Sequence, residues 1–173
     1  GGSGRLVFKK ADKPGMEAWR DVDVRVEGAA VHDVQLAFLR NWTLLGDPVP
    51  ASQMSKLFPP PLKSLGGPSV RVVQHTPHGE PPDDNTLQLY LHAIRAATKS
   101  ITIENAYFLP PKELRDAMIE AAKRGVEVKV MTNSKTSSDM GFVVDAARWF
   151  YDELLDAGVK IYERDGGTLH AKT

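Results

Sequence analysis

Nine of the chain's twelve prolines lie between Pro48 and Pro82, three of them consecutive at Pro59-Pro60-Pro61. Proline lacks an amide hydrogen and fixes φ, so neither a helix interior nor a central strand survives that density. The stretch reads as a linker or long surface loop and divides the 173 residues unequally. The expected organisation is a strand-plus-helix piece over 1–46, a Pro-rich linker over 47–69, and a larger unit over 70–173.

Before the linker, Val22, Val24 and Val26 alternate with Asp21, Asp23, Arg25 and Glu27. That period of two predicts a strand over Trp19–Glu27, ended by Gly28. A helix is expected from Ala30 to Leu45, with Val31, Val34, Phe38 and Trp42 or Leu45 as its apolar stripe and Gly46 as its stop. After the linker the pattern becomes regular. Strands are expected at Val70–Gln74, Ile101–Glu104, Val126–Met131 and Val159–Glu163. Helices are expected between them. The first is capped by Asp83, Asp84 or Asn85, buries Leu87, Tyr90, Leu91 and Ile94, and runs to Ala97. The second runs from Pro111 to Arg124, burying Leu114, Met118 and Ala122, with Gly125 as its stop. The third runs from Phe142 to Ala157, burying Phe142, Ala146, Phe150 and Leu154, with Gly158 as its stop. This β-α-β-α-β-α-β order predicts an α/β fold with a mostly parallel sheet and crossover helices. Val126-Glu127-Val128-Lys129-Val130 alternates, whereas a parallel strand covered on both faces is apolar throughout. The sequence therefore places that strand near a sheet edge.

Composition narrows the function classes. Lys+Arg and Asp+Glu both number 22, so net charge is zero and a basic footprint for nucleic acid is not favoured. There is no cysteine, which removes disulfides, thiolate zinc sites and cysteine nucleophiles. No apolar run approaches the roughly 18 residues of a membrane span. Gly1-Gly2-Ser3-Gly4-Arg5 lacks an apolar signal core and an initiator Met, and the chain stops at Thr173 without a closing element. Both ends read as cut.

Ligands of open parallel sheets bind beyond the carboxyl ends of the strands. Four segments lie there: His75-Thr76-Pro77-His78, Asn105-Ala106-Tyr107-Phe108, Thr132-Asn133-Ser134-Lys135 and Gly166-Gly167-Thr168-Leu169-His170-Ala171-Lys172. Turn-forming residues are common at such positions, so the first three are equally consistent with plain turns. In the last, His170 and Lys172 are two apart, and an extended chain points both to one face. An imidazole and an ammonium on one face suit attack on a phosphodiester. The His serves as nucleophile or general acid, and the Lys stabilises charge on the non-bridging oxygens.

Several further segments share an order and spacing. They are Ile103-Glu104-Asn105-Ala106-Tyr107-Phe108-Leu109-Pro110, Ala121-Ala122-Lys123-Arg124-Gly125-Val126-Glu127-Val128, Thr132-Asn133-Ser134, Leu154 to Glu163, and Leu169-His170-Ala171-Lys172. To these add Trp19 to Gly28, and Ala30-Val31-His32-Asp33 with Phe38 and Trp42. Together they resemble the phospholipase D superfamily, specifically its bacterial cardiolipin synthase-like branch. The resemblance implies an α-β-α sandwich, here incomplete, and the signature His-x-Lys-x4-Asp used twice in a pseudo-twofold enzyme. One His forms a phosphohistidine, the other protonates the leaving alkoxide, and two Lys hold the phosphate oxygens without a metal or other cofactor. His170 and Lys172 would be the catalytic pair of the second copy, whose Asp would fall at position 177. The first copy would precede residue 1, and Gly1-Gly2 matches the segment after it poorly. The implied activity is that of a phosphatidyltransferase acting on a phosphatidylglycerol-like phospholipid, with a pH-rate profile set by one protonated and one deprotonated histidine. The implied setting is a membrane surface, the bacterial inner membrane. The chain alone, lacking half the site, is expected to be inactive.

Asn105, Tyr107, Asn133 and Ser134 are the candidate headgroup-binding residues, although a packed Tyr and an ordinary turn fit as well. His32 and His92 read as solvated helix residues, and His75 and His78 as linker surface. Trp19 and Trp42 read as core or rim packing, and Trp149-Phe150-Tyr151 as core packing in preference to lipid contact. The loop from Ser134 to Gly141 is either a flap over the site or a long connection. Two other function classes stay open. One is a phospholipase or nuclease with water as acceptor. The other is a non-catalytic phosphate-binding module, since a fold alone does not establish catalysis.

Overall fold

The structure, a computed structural model, describes residues 3–9, 17–46, 48–60, 67, 69–76 and 82–173. His78 therefore lies outside the described residues. The chain forms two units, one of Gly1–Arg5 and Val24–Thr86, the other of Leu6–Asp23 and Leu87–Thr173.

Strands β1 (Ser3–Lys9) and β2 (Trp19–Arg25) pair as a two-stranded sheet. In the first unit, helix α1 spans Ala30–Leu45 and a short helix, α2, spans Met54–Leu57. The expected stripe of α1 is not a core face. Val31, Val34, Phe38, Trp42 and Leu45 are 42–89% exposed, and only Leu39 is buried. Phe38 and Trp42, with ring centroids 5.9 Å apart, instead flank an open apolar groove of about 310 Å³ walled by Pro48, Val49 and Leu57. His32 is not a free surface group either: its Nε2 meets Pro59 O at 2.8 Å, and Phe58 packs on its ring. The expected strand Val70–Gln74 is irregular. Among the described residues no strand lies alongside it. Gln74 donates instead to Ala37 O, and beyond it Thr76 bridges to Asp83.

The second unit contains α3 (Asn85–Ala96, beginning at the unit boundary), β3 (Ser100–Glu104), α4 (Lys112–Lys123), β4 (Glu127–Asn133), α5 (Gly141–Arg148), α6 (Tyr151–Asp156) and β5 (Lys160–Arg164). The three strands form a parallel sheet in the order β3-β4-β5, with Ile103 beside Val130 and Val130 beside Ile161. Leu91 and Ile94 of α3, Ala117, Met118 and Ala121 of α4, and Leu154 of α6 bury Val128 and Val130. Glycines close the helices as expected: Gly125 N–H bonds to Ala122 O after α4, and Gly158 N–H to Leu155 O after α6.

Two expectations fail here for identifiable reasons. β4 is the central strand of this sheet, not an edge strand. It alternates because the helices cover one face, while Glu127 on the other face is paired at 2.9 Å with both Lys129 and Lys160. The single helix expected over 142–157 is two helices broken at Trp149 and Phe150. Residues four apart drift by about 40° per step around a straight helix, so a stripe of four such residues does not stay on one face. The break resets the phase. Val143, Val144 and Ala147 are buried in α5 and Leu154 in α6, while Phe142 is 69% exposed. Trp149, expected in the core, is 85% exposed. Phe150 lies under the Arg115 guanidinium, 4.1 Å from its ring centroid.

Candidate active site

The site is built on the tail, whose residues 168–173 run extended between β2 and β3. On one side Arg20 N–H donates to Thr168 O at 2.9 Å and His170 N–H to Arg20 O at 2.7 Å, a parallel bridge. On the other, Glu104 and Thr173 exchange two bonds of 2.9 Å beside an antiparallel bridge from Asn105 to Lys172. Arg20 Nη2 also reaches Glu104 Oε1 at 2.7 Å, across the tail. The extended conformation has the predicted consequence. Leu169 and Ala171 are fully buried, and His170 and Lys172 project to the opposite, accessible face.

The approach of the tail to β2 depends on Gly167. A Cβ there would sit 2.3 Å from Ala18 O, inside any permissible contact. Its N–H donates to Glu17 Oε2 at 2.8 Å.

His170 is held by β2. Its Nδ1 lies 2.7 Å from Asp21 Oδ2. An ionised carboxylate only accepts, so this contact places a proton on Nδ1, and in the neutral ring the lone pair is then on Nε2. The hydrogen bond from His170 holds the Asp21 carboxyl below its ordinary range against a burial effect in the other direction. The Val22 N–H and the charges of His170 and Lys172 assist. The Trp19 ring lies 5.2 Å from the His170 ring. Trp19 and Asp21 are two apart on a strand, so the same period of two brings both to His170. Lys172 is exposed, with Nζ on His170 O at 2.7 Å.

The other candidates sit at the ends of β3 and β4. Asn105 Oδ1 accepts Tyr107 N–H at 3.0 Å, a local turn. The Tyr107 hydroxyl donates to Asp139 at 2.7 Å, and burial, with Asp139 adding to it, raises its pKa. Ser134 is half-buried, its hydroxyl 2.9 Å from Thr136 Oγ1. Asn133 is fully buried, and all four of its amide hydrogen bonds go to protein atoms: Ala106 O, Leu169 O, Leu169 N–H and the Ser137 hydroxyl. Lys135 is paired with Asp145. The loop after β4 is fastened on three sides. Ser137 Oγ donates to Arg164 O, Thr168 Oγ1 donates to Ser137 O, and Asp139 holds Tyr107. The structure thus brings His170, Lys172, Asn105 and Tyr107 to one sheet end and leaves His92 exposed on α3.

Sequence reasoning missed Asp21, which it counted as the polar side of an alternating strand. The available signal was its place in Trp19-Arg20-Asp21, on the same strand face as an aromatic residue.

Known proteins are similar to this chain. Residues 90–173 match the family model described as "Cardiolipin synthase, PLD-like domain". The chain is 34% identical over 155 residues to the cardiolipin synthase of Listeria monocytogenes serotype 4a, a match covering 90% of this chain and 31% of that protein. It is 36% identical over 156 residues to cardiolipin synthase 2 of Bacillus cereus, covering 89% of this chain and 29% of that protein. The chain thus spans about a third of the length of the curated relatives it matches. With the tail, its histidine and the parallel sheet accounted for together, the chain belongs to the phospholipase D superfamily, in its cardiolipin synthase-like branch.

Proposed function

We propose that this chain carries one of the two His-Lys pairs of a membrane-associated bacterial phosphatidyltransferase, and that the other pair comes from a segment outside it. The observation that carries the reading is the Asp21–His170 contact at 2.7 Å beside an exposed Lys172. Asp21 keeps the proton on Nδ1 and stabilises positive charge that develops on the ring. Nε2 is then the reactive nitrogen. As nucleophile it forms a bond to phosphorus while the bond to the leaving alkoxide breaks, and the second histidine protonates that alkoxide. As acid–base partner it supplies that proton and later takes one from the acceptor hydroxyl. In either role, Lys172 leaves the His170 carbonyl and meets a non-bridging phosphate oxygen. Asn105, whose Oδ1 is used on Tyr107, has its amide nitrogen for the headgroup, with Tyr107 beside it, and Ser134 after β4 is proposed as a further headgroup contact.

The substrate we assign is phosphatidylglycerol or a close relative, with a second phosphatidylglycerol as acceptor. Zero net charge disfavours a nucleic acid in its place. The test is product analysis of the full-length protein on labelled phosphatidylglycerol vesicles. Cardiolipin with stoichiometric glycerol is the expected outcome. Phosphatidic acid as the sole product would make water the acceptor and refute the transferase. The chain alone should show no turnover.

A further inference from the structure

Successive residues of a strand offer their backbone groups to alternate sides. In the tail, Thr168 C=O and His170 N–H bond to Arg20 of β2. The N–H and C=O of Leu169 therefore face the other way, toward β3. β3 does not meet them. Its bonds to the tail end at Glu104 with Thr173 and the bridge of Asn105 with Lys172, after which the chain turns away through Ala106. Leu169 is fully buried, so water does not serve these groups.

The side chain of Asn133, at the end of β4, stands in the gap. Its Oδ1 accepts Leu169 N–H at 2.7 Å, and its Nδ2 donates to Leu169 C=O at 2.9 Å and to Ala106 C=O at 3.1 Å. The Ser137 hydroxyl oxygen lies 3.2 Å from the same Oδ1, its one proton shared with Arg164 O at 2.8 Å. A carboxamide carries the same donor and acceptor pair as a peptide group. Asn133 thus supplies one missing rung of the sheet ladder.

We infer that Asn133 is a positioning residue, whose side chain fixes the register of the tail at Leu169 and so presents His170 and Lys172 on the accessible face. This rests on the proposed function for what the two residues then do. A slip of one residue would send both side chains to the buried face. Leucine at 133 supplies neither donor nor acceptor. Aspartate keeps the acceptor but turns a negative oxygen toward two carbonyl groups.

The test compares full-length wild type with Asn133→Leu and Asn133→Asp on phosphatidylglycerol vesicles. Amide exchange of residues 168–171 is followed in parallel by mass spectrometry. In both variants kcat should fall by about 100-fold, the scale of a misplaced reactive group, with KM little changed and faster exchange at Leu169. The deficit of Asn133→Asp should shrink as pH falls, because a protonated carboxyl donates one hydrogen bond. A folded variant with kcat within about twofold of wild type overturns the positioning role. Unchanged exchange at Leu169 overturns it too. If Asn133→Leu does not fold, Asn133→Asp decides, and a deficit independent of pH counts against the inference. Wild type inert on phosphatidylglycerol defeats the functional reading instead, and exchange at Leu169 then decides the clamp by itself.

Discussion

Replacing Asp21 by asparagine keeps the size and an acceptor oxygen at the His170 contact and removes the charge. In the structure Asp21 accepts His170 Nδ1–H at 2.7 Å and Val22 N–H at 2.9 Å. Hydrogen bonds to charged groups contribute about 1.5–3 kcal/mol when shielded. Here the side chains of His170 and Asp21 are 37% and 36% exposed, and exposed ion pairs contribute only about 0–1 kcal/mol. A value between these, about 1–2 kcal/mol, is appropriate. At about 1.4 kcal/mol per tenfold, Asp21→Asn in the full-length protein should lower kcat by about 5- to 30-fold. Substrate binding should change little, because Asp21 faces the imidazole. The sign of the pH dependence follows from the depressed carboxyl. The pair is intact above the ordinary aspartate value of 3.8 and is lost as pH falls below it. The variant's defect should therefore persist through the neutral range. Initial rates on phosphatidylglycerol vesicles, with circular dichroism to confirm folding, measure it. A folded Asp21→Asn with wild-type kcat, in an enzyme that His170→Ala inactivates, would show that the imidazole owes nothing to Asp21.

Three other outcomes follow from the packing. Gly167→Ala forces a Cβ to within 2.3 Å of Ala18 O, and should cost about 1–3 kcal/mol as overpacking, read as a lower Tm with faster exchange over 17–21. Leu154→Ala empties a fully buried position and should cost about 2–5 kcal/mol. Trp149→Ser, at an 85% exposed position, should stay within about 0.5 kcal/mol of wild type in urea melts. Asp21, Glu127 and Glu163 are all held below their ordinary values, Glu127 at about 2. Their contributions are present above about pH 4.5 and disappear as pH falls through the depressed values. The urea midpoint should therefore decline from pH 4 to 2 and hold between pH 5 and 7 on their account, and a midpoint unchanged at pH 2 would refute this.

The elements legible in the sequence are those whose own residues determine them. α4 has Leu114, Met118 and Ala122 at helical spacing with Pro111 before it and Gly125 after it, and it forms as expected. β3 is a short β-branched run between helices and β5 a short run after α6, and each pairs in parallel with β4 as the order of elements required. What failed depended on partners. Val70–Gln74 has strand composition, but a strand exists only beside another. The alternation of β4 encodes one-sided covering, which period alone does not distinguish from an edge. The expected stripe of Phe142, Ala146, Phe150 and Leu154 has four-residue steps that drift; Leu154 is buried, but in α5 Val143, Val144 and Ala147 carry the burial instead. At the site, the common orientation of His170 and Lys172 follows from alternation alone. Asp21 lies about 150 residues away and reaches His170 only through strand pairing. The four hydrogen bonds of Asn133 depend on where β3 turns off, which no local pattern records.

The most direct test of the assigned chemistry is turnover of phosphatidylglycerol by the full-length protein with His170 replaced by alanine. Loss of several orders of magnitude, with fold and vesicle binding retained, is the expected result, because the proposed function puts Nε2 in the bond-making or proton-transfer step. A folded His170→Ala enzyme that keeps most of the wild-type rate would contradict it.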